Sequence, residues 1–216
     1  MPQTVSRRTG LLLFLASCGA WPTTGHADAL FHHQALAQSS GIETFGQWMR
    51  VLERHLTEDV PKGDCRATTY NRCHLRAWQA FLESQRGESR RKQLEAVNRF
   101  ANRLPYVLDI DNYGQQDYWA IVREFLDRGG DCEDYAITKY FSLKWLGMPP
   151  ERLRIVILQD TNLRIPHAVL SVDLDGRHYI LDNQVAQVVT DEEIVHYVPV
   201  YSINERGWWM YLPSGS

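Results

Sequence analysis

The sequence predicts an α+β domain in which several helices precede an antiparallel sheet. Two patterns support this prediction. Apolar residues recur about every 3.6 positions in segments between residues 43 and 146, which is typical of amphipathic helices. Beyond residue 153 they occur in short, partly alternating runs, and Asp175-Gly176 separates two of these runs as a hairpin turn does. Because no repeat or linker divides this part of the chain, residues 41–216 are expected to form one domain.

Each expected element is bounded by residues that start or stop regular structure. Ser89 can open a helix, and Gly87, Gly129 and Gly147 follow the ends of others. The expected helices cover residues 43–57, 75–82, 89–101, 117–126 and 132–146, with a loop at 105–114. The expected strands cover residues 154–159, 167–174 and 178–182, followed by shorter ones at 187–189, 197–203 and 208–212.

The composition excludes several classes of protein. The 216 residues are 44% apolar and 23% charged, so the chain is neither disordered nor of low complexity. Its net charge of -3 argues against electrostatic binding of nucleic acid. No apolar run reaches the roughly 18 residues that a membrane-spanning helix needs.

The first 27 residues are predicted to be a signal peptide. Arg7 and Arg8 precede the apolar stretch Leu11–Trp21, which is too short to span a membrane. Cleavage before Asp28 would release a soluble exported protein whose residues 28–40 form a mobile leader. In the alternative interpretation the segment is a lipoprotein signal and Cys18 carries the lipid.

Three cysteines remain after removal or lipidation of Cys18. Cys65 and Cys73 are close in sequence and most simply form a disulfide in an oxidising compartment. A metal site made of Cys65, Cys73 and His74 is the alternative. Either arrangement leaves the thiol of Cys132 unpaired, and an unpaired thiol in an exported protein calls for a function.

The residues around Cys132 favour a reactive thiol. Gly129-Gly130 allows a sharp turn, Asp131 can cap a helix, and Cys132 then lies in the first helical turn. Backbone N–H groups at this position favour a thiolate and can donate to an oxyanion. A purely structural interpretation explains the neighbouring acids as helix-start residues, but it does not explain the cysteine.

The strand pattern brings a histidine and an aspartate together. A two-residue turn at 175–176 places Val169 opposite Asp182, and His167 is then a diagonal neighbour of Asp182 on the same face. A three-residue turn would move Asp182 to the other face. A helix-start Cys132 packed against the His–Asp face would complete a nucleophile, a base and an orienting group. A histidine among apolar residues is otherwise more often a packed core group.

The segments 130–136, 166–170 and 181–183 resemble the bacterial transglutaminase-like cysteine proteinases. The resemblance covers roughly residues 40–212 and implies a papain/transglutaminase-like fold, with N-terminal helices packed on an antiparallel sheet. It also implies that Cys132 is the nucleophile, His167 the base and Asp182 the orienting residue.

The resemblance further implies a calcium requirement, with Asp131 and Glu133 as ligands and Asp134 as a third candidate. Carboxylates beside a cysteine oppose its ionisation, and a hard divalent cation with a preference for oxygen ligands would cancel their charge. The sequence resembles the periplasmic members of the family that cut a large surface adhesin near its N-terminus and so promote biofilm dispersal. In these members an inner-membrane cyclic di-GMP receptor restrains the protease through its periplasmic domain.

Two other functions use the same residues differently. A protein-crosslinking transglutaminase would apply the same three side chains to a glutamine and transfer the acyl group to an amine. A non-catalytic periplasmic binding module would use the aromatic run Trp208–Tyr211 as a contact surface, although a terminal strand packed on the sheet is the favoured explanation of that run.

Overall fold

The computed structural model describes residues 29–57 and 72–211, and every element below lies in these two ranges. The predicted signal peptide over 1–27, the alternative lipid site at Cys18, and Cys65 lie outside them. Among the described residues, no helix is long and apolar enough to cross a membrane.

Six α-helices form in the described ranges, most of them where the apolar period predicts a helix. They are α1 (Gly46–Thr57), α2 (Arg72–Gln85), α3 (Arg90–Ala101), α4 (Asp109–Tyr113), α5 (Val122–Arg128) and α6 (Cys132–Trp145). Ser89 occupies the N-cap position of α3, as predicted. The short helix α4 lies in the segment 105–114, for which the sequence predicts a loop.

The described strands form one sheet in which every neighbouring pair is antiparallel. They are β1 (Ala29–Leu30), β2 (His33–Ser39), β3 (Leu153–Asp160), β4 (Ile165–Leu174), β5 (Arg177–Leu181), β6 (Val189–Thr190), β7 (Tyr197–Ile203) and β8 (Trp208–Tyr211). Their order across the sheet is β1-β2-β8-β7-β3-β4-β5-β6. The predicted class, helices packed on an antiparallel sheet, is therefore confirmed.

The expectation of a mobile leader over residues 28–40 is wrong for the part of it that is described. Residues 29–39 form β1 and β2, and β2 pairs with β8. Leu30 and Phe31 are buried beside Trp209 and Tyr211 in one apolar cluster. The local sequence is rich in His, Gln and Ser and looks like a leader, and only the contact with the C-terminal strand makes it a strand. The same packing explains the C-terminal aromatic run.

The segment 117–121 is not helical, although the sequence predicts a helix from residue 117. The backbone N–H of Ala120 donates to Asp134 Oδ1 at 2.6 Å, and the N–H of Tyr118 donates to Asp109 Oδ2. Because these N–H groups are held by buried carboxylates, α5 begins five residues later than the apolar pattern indicates. The segment is thereby anchored over the start of α6.

The β4–β5 hairpin has the register that a two-residue turn imposes. Asp175 and Gly176 have φ values of 56° and 79°, the left-handed conformation that such turns require. Leu170 pairs with Leu181, so the next residue, Asp182, follows β5 in the predicted alignment. The sequence pattern predicts this register, and the structure confirms it.

Two apolar clusters occupy opposite faces of the sheet, because side chains alternate along each strand. One cluster packs α6 against Ile155, Leu170 and Val172. The other contains Val169 and Leu158 together with β1 and β8. From Glu133 to Leu143 every residue of α6 is buried, so this helix is central to the domain.

Cys73 is disulfide-bonded, and Cys132 is the free cysteine among the described residues. A disulfide sulfur is not a thiolate ligand, and the imidazole Nδ1 of the neighbouring His74 lies 3.2 Å from Asp127 Oδ1. Both facts argue against the metal site of Cys65, Cys73 and His74. The pairing of Cys73 with Cys65 stays a prediction, since Cys65 is outside the described residues.

Candidate active site

Cys132 is the first residue of α6. The two residues before Asp131, Gly129 and Gly130, lie very close to other parts of the chain. Gly129 has φ 75°, and a Cβ at this position would lie 2.1 Å from the carbonyl oxygen of Pro105. A Cβ on Gly130 would lie 2.0 Å from Asp134 Oδ2. Both distances are far below van der Waals contact, so only glycine fits at either position. The helix start therefore reaches its place because these two residues lack side chains.

His167 and Asp182 form a buried pair. The imidazole Nε2 of His167 lies 2.9 Å from Asp182 Oδ1, and the two side chains are 2% and 1% exposed. Asp182 also accepts hydrogen bonds from the backbone N–H of Gln184 at 2.8 Å and from the Tyr197 hydroxyl at 2.6 Å. Burial by itself raises the pKa of Asp182, but the hydrogen bonds from His167, Tyr197 and Gln184 hold it below its usual value. The carboxylate is thus fixed in its ionised form.

Cys132 and His167 line the same cleft, which has a volume of about 230 Å³. Trp119, Ile157 and Tyr201 form part of its wall. A larger, mostly apolar cavity of about 460 Å³ lies between α1, α2 and α6 and includes neither Cys132 nor His167. The smaller cleft is therefore the candidate active site, because it contains both the thiol and the imidazole.

The route by which Cys132 reaches this cleft differs from the predicted one. The sequence predicts that a helix-start Cys132 packs against the face of the hairpin that carries His167 and Asp182. In the structure α6 packs on the opposite face, against Leu170. The first turn of the helix meets the start of β4, where Cys132, His167 and Ala168 line the same cleft.

An acidic cluster surrounds Cys132. It contains the three acids that the sequence predicts as metal ligands, Asp131, Glu133 and Asp134, and two more that the prediction missed, Asp109 and Asp117. Carboxylate oxygens of Asp109, Asp131 and Asp134 lie within 4.8 Å of one another, and so do those of Asp109, Asp117 and Glu133. Since Asp109 and Asp117 are more than ten residues from Cys132, no local pattern joins them to the other acids.

The oxygens of this cluster are suited to a hard cation. Asp109 Oδ1, Asp131 Oδ1 and Asp134 Oδ2 are buried and have no hydrogen-bond partner. A buried carboxylate oxygen without a donor is costly, and coordination of a cation would satisfy it. Oxygen ligands from several carboxylates are what calcium takes in proteins. The residues present therefore fit a divalent cation.

Burial and mutual repulsion disfavour negative charge in the cluster. Burial raises the pKa of Asp109 to about 6, and burial together with the hydrogen bond to Asp131 raises the pKa of Glu133 to about 10. Burial also raises the pKa of the Cys132 thiol, and the nearby carboxylates of Glu133 and Asp131 raise it further. The thiol is 3.3 Å from Glu133 Oε2, to which it donates.

Asp131 does not cap α6 in the predicted way. It occupies the N-cap position, but its carboxylate accepts no hydrogen bond from the helix start. Instead it interacts with Glu133 and with the backbone of Asp109. The side chain belongs to the acidic cluster, which explains why it leaves the helix N-terminus uncapped.

The sequence model of the bacterial transglutaminase-like cysteine proteinase family matches residues 63–216 of the chain. The chain belongs to this cysteine proteinase family. Among solved structures it is similar to Legionella pneumophila LapG in the calcium-bound form, with 31% identity and a TM-score of 0.60 over 75% of this chain and 86% of that one. Two further structures of the same protein, one of them EGTA-treated, show 33% identity and a TM-score of 0.60 over 75% of this chain and 84% of theirs. No curated protein matches the chain.

Proposed function

We propose that this member of the proteinase family cleaves peptide bonds with Cys132 as nucleophile, His167 as base and Asp182 as orienting residue. The observation that carries the proposal is the buried His167–Asp182 hydrogen bond at the cleft that also contains the helix-start cysteine. A nucleophile, a base in the same cleft and a group that orients the base are the parts of a catalytic triad for thiol catalysis.

The hydrogen bonds assign a role to each nitrogen of the imidazole. Because ionised Asp182 only accepts, Nε2 of His167 carries the proton of their hydrogen bond, and Nδ1 is the acceptor for the proton of Cys132. The thiolate then attacks the peptide carbonyl, and N–H groups at the start of α6 stabilise the oxyanion. His167 returns the proton to the leaving amine, and water hydrolyses the resulting thioester.

The proposed cofactor is calcium, held by Asp131, Glu133 and Asp134 together with Asp109 and Asp117. The support is the set of buried oxygens without donors and the similarity to a calcium-bound LapG structure. When bound, calcium neutralises carboxylates that otherwise oppose ionisation of the nearby thiol. The fold holds these carboxylates close together. The absence of a side chain at Gly130 leaves the space that the Asp134 carboxylate occupies.

The proposed substrate is a large surface adhesin that is cut near its N-terminus, which releases it and promotes biofilm dispersal. The proposed place of action is the periplasm, where the periplasmic domain of an inner-membrane cyclic di-GMP receptor restrains the enzyme. The support for these proposals is the resemblance of the segments 130–136 and 166–170 to adhesin-cleaving members of the family, together with the similarity to LapG.

The proposal is tested by incubating the mature protein with an N-terminal adhesin fragment and sequencing the products. We expect one cleavage that stops with EGTA and resumes with excess calcium but not with magnesium, whose octahedral geometry is stricter. Cys132→Ala should abolish cleavage while its circular dichroism spectrum stays that of the parent. A primary amine is added in a parallel sample.

Three outcomes would contradict the proposal. Cleavage by folded Cys132→Ala would exclude thiol catalysis. Incorporation of the amine into the fragment without cleavage would identify a crosslinking transglutaminase. Retention of the adhesin fragment without either reaction would favour a binding module.

A further inference from the structure

We propose that Tyr197 is a positioning residue of the reaction, which holds Asp182 through its hydroxyl group so that Asp182 in turn holds His167. The inference rests on the proposed function, because it assigns a residue to the same catalytic machinery. Tyr197 is 15 residues from Asp182 in sequence, and no motif points to it. It begins β7, which is separated from β4 in the sheet by β3.

The two oxygens of the Asp182 carboxylate have different donors. Oδ1 accepts from His167 Nε2 at 2.9 Å and from the Gln184 backbone at 2.8 Å. Oδ2 accepts from the Tyr197 hydroxyl at 2.6 Å. Because the donors lie on both oxygens, the carboxylate cannot rotate about its χ2 bond without losing a hydrogen bond. The side-chain amide of Asn102 also donates a hydrogen bond to the backbone carbonyl of Asp182 at 2.8 Å.

The ring of Tyr197 is itself held in place. It is 2% exposed and meets Phe31 edge-on, with ring centroids 5.6 Å apart. It also meets the ring of His167 edge-on at 5.7 Å and that of His196 at 4.6 Å. Tyr197 therefore touches both the base and the group that orients it. A buried tyrosine with a fixed ring and a hydrogen bond to an ionised carboxylate is a rigid support.

The charged and titratable groups around this pair come from several elements. The charge of Asp182 acts on Lys139 of α6, whose pKa it raises against the effect of burial, and Asp160 of β3 pairs with Tyr197 across the sheet. His196 precedes Tyr197 in the chain. Among the hydrogen bonds of the described residues, the Tyr197 hydroxyl is the donor to Asp182 Oδ2, and the Lys139 amine has no hydrogen-bond partner.

The test compares Tyr197→Phe with Tyr211→Phe. Both changes remove one buried tyrosine hydroxyl from the same apolar cluster, and the Tyr211 hydroxyl interacts with Ser202 Oγ at 2.9 Å and not with the triad. We expect Tyr197→Phe to lower kcat about 10- to 100-fold, the range for a buried hydrogen bond to a charged group, while KM changes less than about threefold. Tyr211→Phe should change kcat less than about threefold.

A pH profile separates positioning from a general loss of stability. The Tyr197 hydroxyl helps to keep the pKa of Asp182 low, so its removal raises that pKa. Because the mechanism needs Asp182 ionised, the acid limb of kcat/KM should move to higher pH in Tyr197→Phe and stay in place in Tyr211→Phe. Equal kcat and an unmoved acid limb in the two variants would overturn the inference.

Alkylation of Cys132 by iodoacetamide gives a measurement that needs no peptide substrate. The rate is followed on the Cys132 peptide by mass spectrometry, in the presence of calcium. We expect Tyr197→Phe to react at least about tenfold more slowly than the parent, because His167 is then less well placed to accept the thiol proton. A parent that alkylates but cleaves nothing would contradict the proposed function alone, whereas equal alkylation rates in parent and Tyr197→Phe would contradict the role of Tyr197.

Discussion

At the scale of single residues, Lys139 shows how strongly burial in this protein lowers the pKa of an amine. Its side chain is completely buried in α6, and its amine has no hydrogen-bond partner among the described residues. The ring of Tyr135 lies 5.7 Å from the amine. Burial lowers the pKa of Lys139 to about 7, although the charge of Asp182 opposes this shift. The folded protein therefore binds the lysine proton more weakly than the unfolded chain does.

We predict that Lys139→Met raises the free energy of unfolding by about 1 kcal/mol or more at pH 6, since it removes a buried charge that has no hydrogen-bond partner. Between pH 7 and about pH 10, the unfolded parent binds a proton that the folded parent has lost, so the stability of the parent rises with pH. The advantage of the variant should therefore shrink over this range. Urea denaturation at several pH values measures both effects.

The control for this prediction is Lys92→Met in α3. Lys92 is 68% exposed and pairs with Glu88 four residues earlier, so its replacement should change stability little and equally at each pH. If the stability of Lys139→Met and of the parent rose in parallel with pH, the amine of Lys139 would not titrate in this range.

At the scale of an element, the first turn of α6 is shaped by what surrounds it more than by its own helix propensity. The buried carboxylate of Asp134 holds the non-helical segment before α5 by accepting a hydrogen bond from Ala120, and it lies against Gly130. This arrangement places the acidic cluster, the cysteine and the wall of the cleft in one compact unit. The absence of a side chain at Gly130 is therefore a requirement of the candidate calcium site.

We predict that Gly130→Ala weakens calcium binding by about tenfold or more, the size of effect expected when the support of a metal ligand is disturbed. The new Cβ would lie 2.0 Å from Asp134 Oδ2 and must displace that carboxylate. Calorimetric titration of the folded variant with calcium measures the change. Gly87→Ala is the matched control, because its Cβ would meet nothing within 4 Å. Equal affinities in the two variants would remove Asp134 from the calcium site.

At the scale of the whole molecule, the first and last described strands pack together in the apolar cluster on one face of the sheet. Strands β1 and β2 precede every helix, yet they join the sheet beside β8, the last described strand. Leu30 is fully buried in the cluster that also contains Tyr197 and Trp209. The segment that looks like a leader therefore supports the face of the sheet from which Asp182 and His167 project.

We predict that Leu30→Ala lowers the free energy of unfolding by about 2–5 kcal/mol, the usual range for removing a buried leucine side chain. Leu36→Ala is the control, because Leu36 lies in β2 but is 53% exposed and should change stability by less than about 1 kcal/mol. Urea denaturation with a comparison of midpoints at equal m-value measures the difference. Equal losses in the two variants would mean that residues 29–39 do not pack as described.

Local patterns were sufficient where one short segment decides the structure. The turn residues Asp175 and Gly176 set the register of their hairpin, and that register alone predicted that His167 and Asp182 would meet. The glycine pair and the acids around Cys132 likewise predicted a helix that begins at the cysteine. In both cases backbone conformation and side-chain alternation, which act over a few residues, contain the information.

The sequence by itself thus determined the class of fold, the hairpin that joins His167 to Asp182, and the helix start at Cys132. Only the tertiary structure decided that Asp109 joins the acidic cluster, that the N-terminal segment is a strand, and that Tyr197 holds Asp182. The physical reason is the range of the interactions. Turn and helix preferences act between neighbours in sequence, whereas each of these contacts joins residues that become neighbours only when the chain folds and the sheet assembles.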